Sequence, residues 1–524
     1  VAVSEVDAAE QLFLDKWYGI DAGDAQRIIE ATRHLADDKL LQRPVLVTAA
    51  IVSLQRLSAE QPADHAGALH RFAALVLAFP ESSIGASLTG VRLRQWRLME
   101  MIARRWRREY DAALELSSLL AENSGSLSLS GMLFRPDGDG LWPGHVSLQR
   151  GITEALAGNF SASMRLFTKA YGQGGEPPYL HYAKANAAAN AAMITTLEGN
   201  TGSALDWINR CNSVAEVPDW ISHLTYVGRD IAQTQLALDR MDTDAAASIL
   251  TAAHRDSSQV ELWPFLLHVS INHSLASGEP VKGYEMLKEA GFARGRVTAI
   301  DTVAGHVVFR AYLDVLIAMG EAGIALRLAN ELGHPLRSLV PVARTHLFGE
   351  NSTEAARVAS HALRRAELPL RDMWEATWVH ALAEAALGHF EEAKRSYEII
   401  RKGSPAMMPS LLARAPRDTV ERLYDLLGER RPEVYGSMQH VVPELPKLTS
   451  RERQILQLLA EGHLPREIAE KEVTSIHTVR THIKGIYRKL GVSARDDAIR
   501  RAEALGLLRW VHLDGKNHVF RTSA

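Results

Sequence analysis

The chain is 524 residues long, 46% hydrophobic and 23% charged, with a formal net charge of −3; that length exceeds one compact core and calls for several domains or an extended repeat. Its longest apolar runs fall short of a membrane span, and its one cysteine, Cys211, excludes a disulfide framework or a cysteine-clustered metal site. Charge is unevenly placed: residues 447–524 hold 15 Lys and Arg against 9 Asp and Glu, which leaves the first 446 residues at −9, so the C-terminal end is the part suited to nucleic acid.

The opening "VAVSEVDAAEQLFLDKWYG" has acids where a signal peptide carries a basic start and an apolar core, so a cytoplasmic protein with no membrane partner is expected. The first residue is Val rather than Met, as in a piece of a longer protein or after an unconventional start. Helical periodicity rich in Ala, Leu, Glu and Arg then runs through most of the chain, and strand signals are scarce before the last fifteen residues. Residues 92–110, "RLRQWRLMEMIARRWRREY", carry seven arginines and invite a nucleic-acid reading. Their Trp96, Met99, Ala103, Trp106 and Tyr110 recur at helical spacing, however, so that side is expected to be core and the arginine side wet.

A phrase recurs further along: "ALAGNFSASMRLFTKA" at 155–170, "TLEGNTGSALDWINRC" at 196–211, "LASGEPVKGYEMLKEA" at 275–290 and "AALGHFEEAKRSYEII" at 385–400. Each copy is a helix, a Gly turn, a small residue five positions later and a bulky one nine later, as in Gly388, Ala393 and Tyr397. Weaker copies centre on Tyr110, Asp242, Gly320 and Gly349, and most turns lie about 40 residues apart. No single helical hairpin buries its own apolar face, so such units must stack. Breaks at 122–145, 172–178 and 428–447 are rich in Gly, Ser, Pro or charge. The expected order is therefore N-terminal helical repeats at 1–121, a loop at 122–146, repeats at 147–427, a linker at 428–447, a basic module at 448–508 and a tail at 509–524, where Asp514-Gly515 predicts a small β-hairpin.

Little in the chain suggests catalysis. There is no G-x-x-x-x-G-K-[ST] phosphate loop, no H-E-x-x-H and no Gly-x-Ser-x-Gly elbow; His223, His268, His273 and His306 stand without ligand-spaced partners. An enzyme, a cofactor and a metal are not expected, and Cys211 is expected to be a small packing residue. The inner curve of a stacked repeat usually takes a ligand or partner, with Trp207, Trp220, Tyr226, Trp263, Trp374 and Trp378 as the aromatic candidates.

From Leu448 the punctuation becomes dense. Thr449 and Glu452 predict a capping box and a helix to about Ala460, with Ile455, Leu456, Leu458 and Leu459 on its apolar side. Gly462 ends it, Pro465 opens a short second helix, Ser475 caps a third that Gly491 closes, and Ser493 caps a fourth to about Ala504. The third helix, "SIHTVRTHIKGIYRKLGVS", divides into an apolar stripe of Val479, Ile483, Ile486 and Leu490 and a donor-bearing face of His477, Arg480, Thr481, Lys484 and Arg488. Two short helices joined by a tight turn, the second with a basic face, is helix-turn-helix geometry.

"LTSRERQILQLLAEG", "REIAE", "HTVRTHIKGIYRKLGV" and "ARDDAIRRAEALGLL" resemble the LuxR-type helix-turn-helix family over about sixty residues. The resemblance implies that the third helix enters the major groove of double-stranded DNA and the fourth helps form a homodimer. It implies base contacts by Arg480, Thr481 and Lys484, and a phosphate contact by Thr478; Ser475, His477 and Arg488 are further candidates for the backbone. Arg and Lys suit guanine N7 and O6, and Thr offers a hydroxyl and a methyl. Two positions depart from the family. Leu464-Pro465-Arg466 replaces Ser-Asn-Lys and removes a capping hydroxyl, and Glu472 stands where the family buries Leu. A buried unpaired carboxylate would cost several kcal/mol, so Val473 would take its place, or Glu472 would reach solvent, or binding would suffer.

The repeats resemble tetratricopeptide repeats, and the whole chain is similar to the sensor half of MalT-like large regulators without their nucleotidase domain. The expectation is an all-α transcriptional regulator: a tetratricopeptide-like superhelix takes a small-molecule or protein effector and controls the helix-turn-helix domain. The alternative, motivated by Pro465 and Glu472, is a protein-binding repeat scaffold with a degraded DNA-binding end.

Overall fold

The computed structural model describes residues 3–16, 19–59, 62–122, 143–174, 181–253, 261–294, 303–331, 339–432 and 448–504, and among them every regular element is a helix. The expected hairpin at 509–522 lies outside the described residues, as do most of the expected loop at 122–146 and residues 433–447 of the expected linker.

The repeated turns have a common geometry. Gly158, Gly199, Gly278, Gly320 and Gly388 adopt φ of 98°, 87°, 75°, 78° and 83°, and in the weaker copies Arg108, Met241 and Glu350 take the same left-handed region at 65°, 59° and 59°. That conformation ends one helix and aims the chain back for the next. Five residues after each stands a small buried residue: Ala113, Ser163, Ala204, Ala246, Gly283, Ala325, Ala355 and Ala393. A side chain of that size lets the two helices of a hairpin touch. Phe167, Ile208, Leu250, Leu287 and Tyr397, nine after the turn, are buried as the pattern requires.

The chain divides into two compact units, residues 1–233 with 249–263, and residues 234–248 with 264–524. In the first, Pro143–Ala157 packs on Phe160–Gln173, which packs on His181–Leu197, which packs on Thr201–Asn212. His181–Leu197 is buried nearly all round, and seven of its 17 residues are alanine, small enough for neighbouring helices to approach on every side. Gly228 admits the next helix: a Cβ there would lie 2.8 Å from the Ala189 carbonyl oxygen. Cys211 is buried with its thiol 3.5 Å from the Ala185 carbonyl oxygen, and burial pushes that thiol up to about 11, so it is a packing residue.

The helix Gly90–Trp106 buries Trp96, Met99 and Ala103 as its spacing predicts, while Trp106 is 40% exposed. One of its arginines departs from the expected wet side: Arg105 is buried and its guanidinium lies on Glu261, 2.7 Å away. In the second unit Leu339–Phe348, Ser352–Leu363, Leu370–Leu387 and Phe390–Gly403 pack in succession. Inside it Arg310, Arg344 and Arg371 pair with Asp372, Glu375, Asp314 and Asp239 in a buried network. Trp378 is core, its Nε1 donating to the Leu411 carbonyl at 2.9 Å, and Trp207 is also buried.

Candidate nucleic-acid interface

Four helices form the C-terminal module: Ser450–Ala460, Pro465–Lys471, Ile476–Leu490 and Arg495–Ala504. Their apolar sides meet in one core of Leu448, Ile455, Leu456, Leu459, Ile468, Val479, Ile486 and Leu490 with smaller residues between, and Ile483 and Leu458 pack at its edge.

Each end of these helices has a local chemical cause. The Thr449 main-chain N–H donates to Glu452 Oε2 at 2.7 Å and the Glu452 N–H to Thr449 Oγ1 at 3.2 Å, a reciprocal capping box. Pro465 holds the first position of the second helix, and although Leu464 offers no side-chain acceptor, its N–H is taken by Glu467 Oε2 at 2.8 Å. Ser475 Oγ accepts the Thr478 N–H at 3.0 Å, and Gly491, at φ 67°, closes the third helix.

The third helix is fixed to the first by a contact that sequence reasoning missed. Lys489 donates to Glu452 Oε2 at 2.6 Å, so one carboxylate serves both the cap of the first helix and the third helix. Burial raises the Glu452 pKa, but the hydrogen bonds from Lys489 and Thr449 outweigh it, and the group titrates below its ordinary value. Gly485 faces this carboxylate, and a Cβ there would stand 3.2 Å from Oε1.

Glu472 takes neither of the two structural courses expected of it. Its side chain is only 10% exposed, so it does not reach solvent, and Val473, 93% exposed, does not replace it. The carboxylate is instead neutralised by Arg451, which also donates to the Glu472 carbonyl at 2.9 Å, and Gln454 Nε2 donates to Oε1 at 2.8 Å. Val473 adopts φ 48° in the tight turn before the third helix, a conformation strained for a β-branched residue.

The outward face of Ile476–Leu490 contains no acid. Arg480, Thr481, Lys484 and Arg488 are exposed, as are Ser475, His477 and Thr478. Among the described residues Arg480, Lys484 and Arg488 take part in no hydrogen bond or ion pair, so these cations are available to a ligand. Thr481 Oγ1 donates to the His477 carbonyl at 3.0 Å, which commits its proton and leaves its lone pairs and methyl outward. The Ser475 and Thr478 hydroxyls share a 2.8 Å hydrogen bond at the helix N-terminus, where main-chain N–H groups and the helix dipole favour phosphate.

The module also touches the repeats. Arg453 Nη1 lies 3.1 Å from Glu321 Oε2, and Pro280–Arg294 packs against Arg495–Ala504. Glu321 is mostly buried, which raises its pKa against the opposing pull of Arg453. Among the described residues no helix is long and apolar enough to cross a membrane, and no group of three or more His, Cys, Asp or Glu is placed to hold a metal.

Residues 446–502 match the family model described as bacterial regulatory proteins, luxR family. That match covers the four-helix module and supports a DNA-binding transcription regulator. Among solved structures, the TPR domain of P58(IPK) is similar at 12% identity over 81% of this chain and 98% of that one, with a TM-score of 0.21. At that score the likeness carries no argument, and the helical-repeat description stands on the recurrent turn geometry.

Proposed function

We propose that this chain, whose last domain matches the luxR family, is a transcriptional regulator in which the helical repeats control DNA binding by that domain. The observation that carries the reading is the exposed, acid-free face of Ile476–Leu490, with unpaired Arg480 and Lys484 one turn apart and Thr481 beside them. In the major groove Arg480 pairs bidentately with one guanine, Lys484 donates to a neighbouring base edge, and Thr481 accepts from an amino group or meets a thymine methyl. Ser475, His477, Thr478 and Arg488 hold the phosphates and fix register. Arg495–Ala504 forms a homodimer, so two half-sites about 34–36 Å apart are expected.

Control by the repeats is supported by the Arg453–Glu321 ion pair and by the packing of Pro280–Arg294 on Arg495–Ala504. A repeat region that holds the helix through which the module dimerises lowers DNA affinity, and an effector that favours the released state raises it. Both features that favour a scaffold instead are accommodated locally, Pro465 by Glu467 and Glu472 by Arg451.

The test is site selection from random duplex DNA with the full chain, followed by titration at several salt concentrations. A regulator gives a preferred sequence and a steep salt slope. Absence of both overturns the reading in favour of a protein-binding scaffold.

A further inference from the structure

The first unit contains a cavity of about 230 Å³, walled by Ile51, Leu98, Ile102, Leu148, Ile152 and Leu224 among others. It exceeds the roughly 150 Å³ that encloses a benzene ring in an apolar interior and falls below the roughly 300 Å³ where drug-sized sites begin. The size suits one fused or two linked rings.

Most polar groups on its wall are occupied with one another, and Asn190 Oδ1 is a buried acceptor with no hydrogen-bond partner. Arg105 has five N–H donors, and all five are used: Nε on Glu261 Oε1 at 2.8 Å, Nη1 on the Gln149 carbonyl at 2.8 Å and Thr153 Oγ1 at 3.1 Å, Nη2 on Gln149 Oε1 at 2.8 Å and Glu261 Oε2 at 2.7 Å. Its charge is matched by Glu261 in the same contact. Tyr182 Oη lies 2.6 Å from His145 Nδ1. Burial, helped by Arg105, lowers the His145 pKa to about 3, so the ring is neutral at physiological pH. On His181–Leu197, Asn190 Nδ2 donates to Asn186 Oδ1, and Asn186 Nδ2 donates to the Leu224 and Thr225 carbonyls at 3.0 and 2.8 Å. Taken together, the wall offers an incoming molecule apolar surface, one neutral amide acceptor at Asn190 Oδ1 and no uncompensated charge.

We infer that this cavity is a binding site for a small uncharged, largely apolar molecule of one fused or two linked rings. An anion finds no guanidinium donor left on Arg105, and a cation would have to compete with Arg105 for Glu261. Either would lose its hydration without a partner. The inference deepens the reading that the repeats control DNA binding and rests on it for its biological sense, but the site is tested separately.

1-Aminonaphthalene, a neutral fused two-ring probe whose fluorescence changes in apolar surroundings, is titrated into the full chain beside 5-aminonaphthalene-1-sulfonate, the same skeleton with a sulfonate. Saturable binding of one neutral probe per chain is expected, with the sulfonate at least tenfold weaker. Leu224→Trp and, independently, Ile51→Phe fill the space and should each weaken the neutral probe at least tenfold, while circular dichroism melting shows that they fold like the parent. Equal or tighter binding of the sulfonate overturns the ligand class. No saturable binding, or binding indifferent to both filled variants in folded protein, overturns the site. Promoter-DNA titration with and without the neutral probe reads the control step separately: bound probe with unchanged DNA affinity leaves the site standing and counts against control by the repeats.

Discussion

Removing Arg451 should weaken the C-terminal module more than removing the charge that it neutralises. In Arg451→Ala, Glu472, 10% exposed in the parent, keeps one hydrogen bond, from Gln454 at 2.8 Å, but loses the guanidinium on Oε2 and the donor on its own carbonyl. Breaking a fully buried pair costs about 3–5 kcal/mol. Arg451 is itself 39% exposed, so solvent screens much of the attraction, and about 1.5 kcal/mol is expected after that discount. Glu472→Leu instead leaves Arg451 able to turn to water and places an apolar side chain in the pocket, so its effect should lie within about 0.5 kcal/mol of neutral or be stabilising. The double variant should match Glu472→Leu rather than the sum of the two. Hydrogen exchange on the full chain reads this directly: amides in Ser450–Ala460 and Ile476–Leu490 should exchange roughly tenfold faster in Arg451→Ala and at the parent rate in Glu472→Leu. Equal losses in the two single variants would refute the assignment of Arg451 as the group that makes a carboxylate tolerable there.

Val473→Gly should stabilise the module by about 1 kcal/mol, because Gly adopts φ 48° without strain and the valine side chain is 93% exposed; slower exchange in the same helices would register it, and faster exchange would contradict it. Glu321→Gln removes the charge that faces Arg453 while keeping its shape, and DNA affinity should rise about two- to fivefold, consistent with up to about 1 kcal/mol for a part-exposed pair; an unchanged or weaker affinity would speak against restraint by this contact. Because the folded-state pKa of Glu452 lies below its ordinary value, its contribution is fully present above the unfolded pKa, about 4.3, and is lost as pH falls through the lower folded value. Protection factors in the module, that is, exchange measured relative to the intrinsic amide rate at each pH, should therefore fall at acid pH in the parent, and Glu452→Gln should flatten that dependence.

The parts of this fold that were legible in the sequence are those whose cause is local. The Gly388, Ala393, Tyr397 pattern named the turn, the helix contact and the buried residue because all three lie within ten positions, and its weaker copies proved to share the left-handed residue even where Arg108, Met241 or Glu350 replaces Gly. The caps at Thr449, Ser475 and Gly491 and the stripe from Val479 to Leu490 are equally local. What stayed hidden depends on partners far along the chain. Arg105 reads as a surface arginine until Glu261 is brought to it from 156 residues away, and Glu472 reads as a defect until Arg451 reaches it from 21 residues upstream. The Lys489 contact to Glu452 and the cavity beside Arg105 are products of packing with no periodic signature.

That Ile476–Leu490 reads bases is tested most directly by comparing Arg480→Ala with Arg488→Ala on selected DNA, with both helices intact because the apolar stripe is untouched. Arg480→Ala should cost about 1–3 kcal/mol at the preferred site and flatten discrimination at one base position. Arg488→Ala should weaken all DNA alike and reduce the salt slope by roughly one unit. If Arg480→Ala leaves both affinity and sequence preference unchanged on DNA that the parent binds, the helix is not a recognition helix.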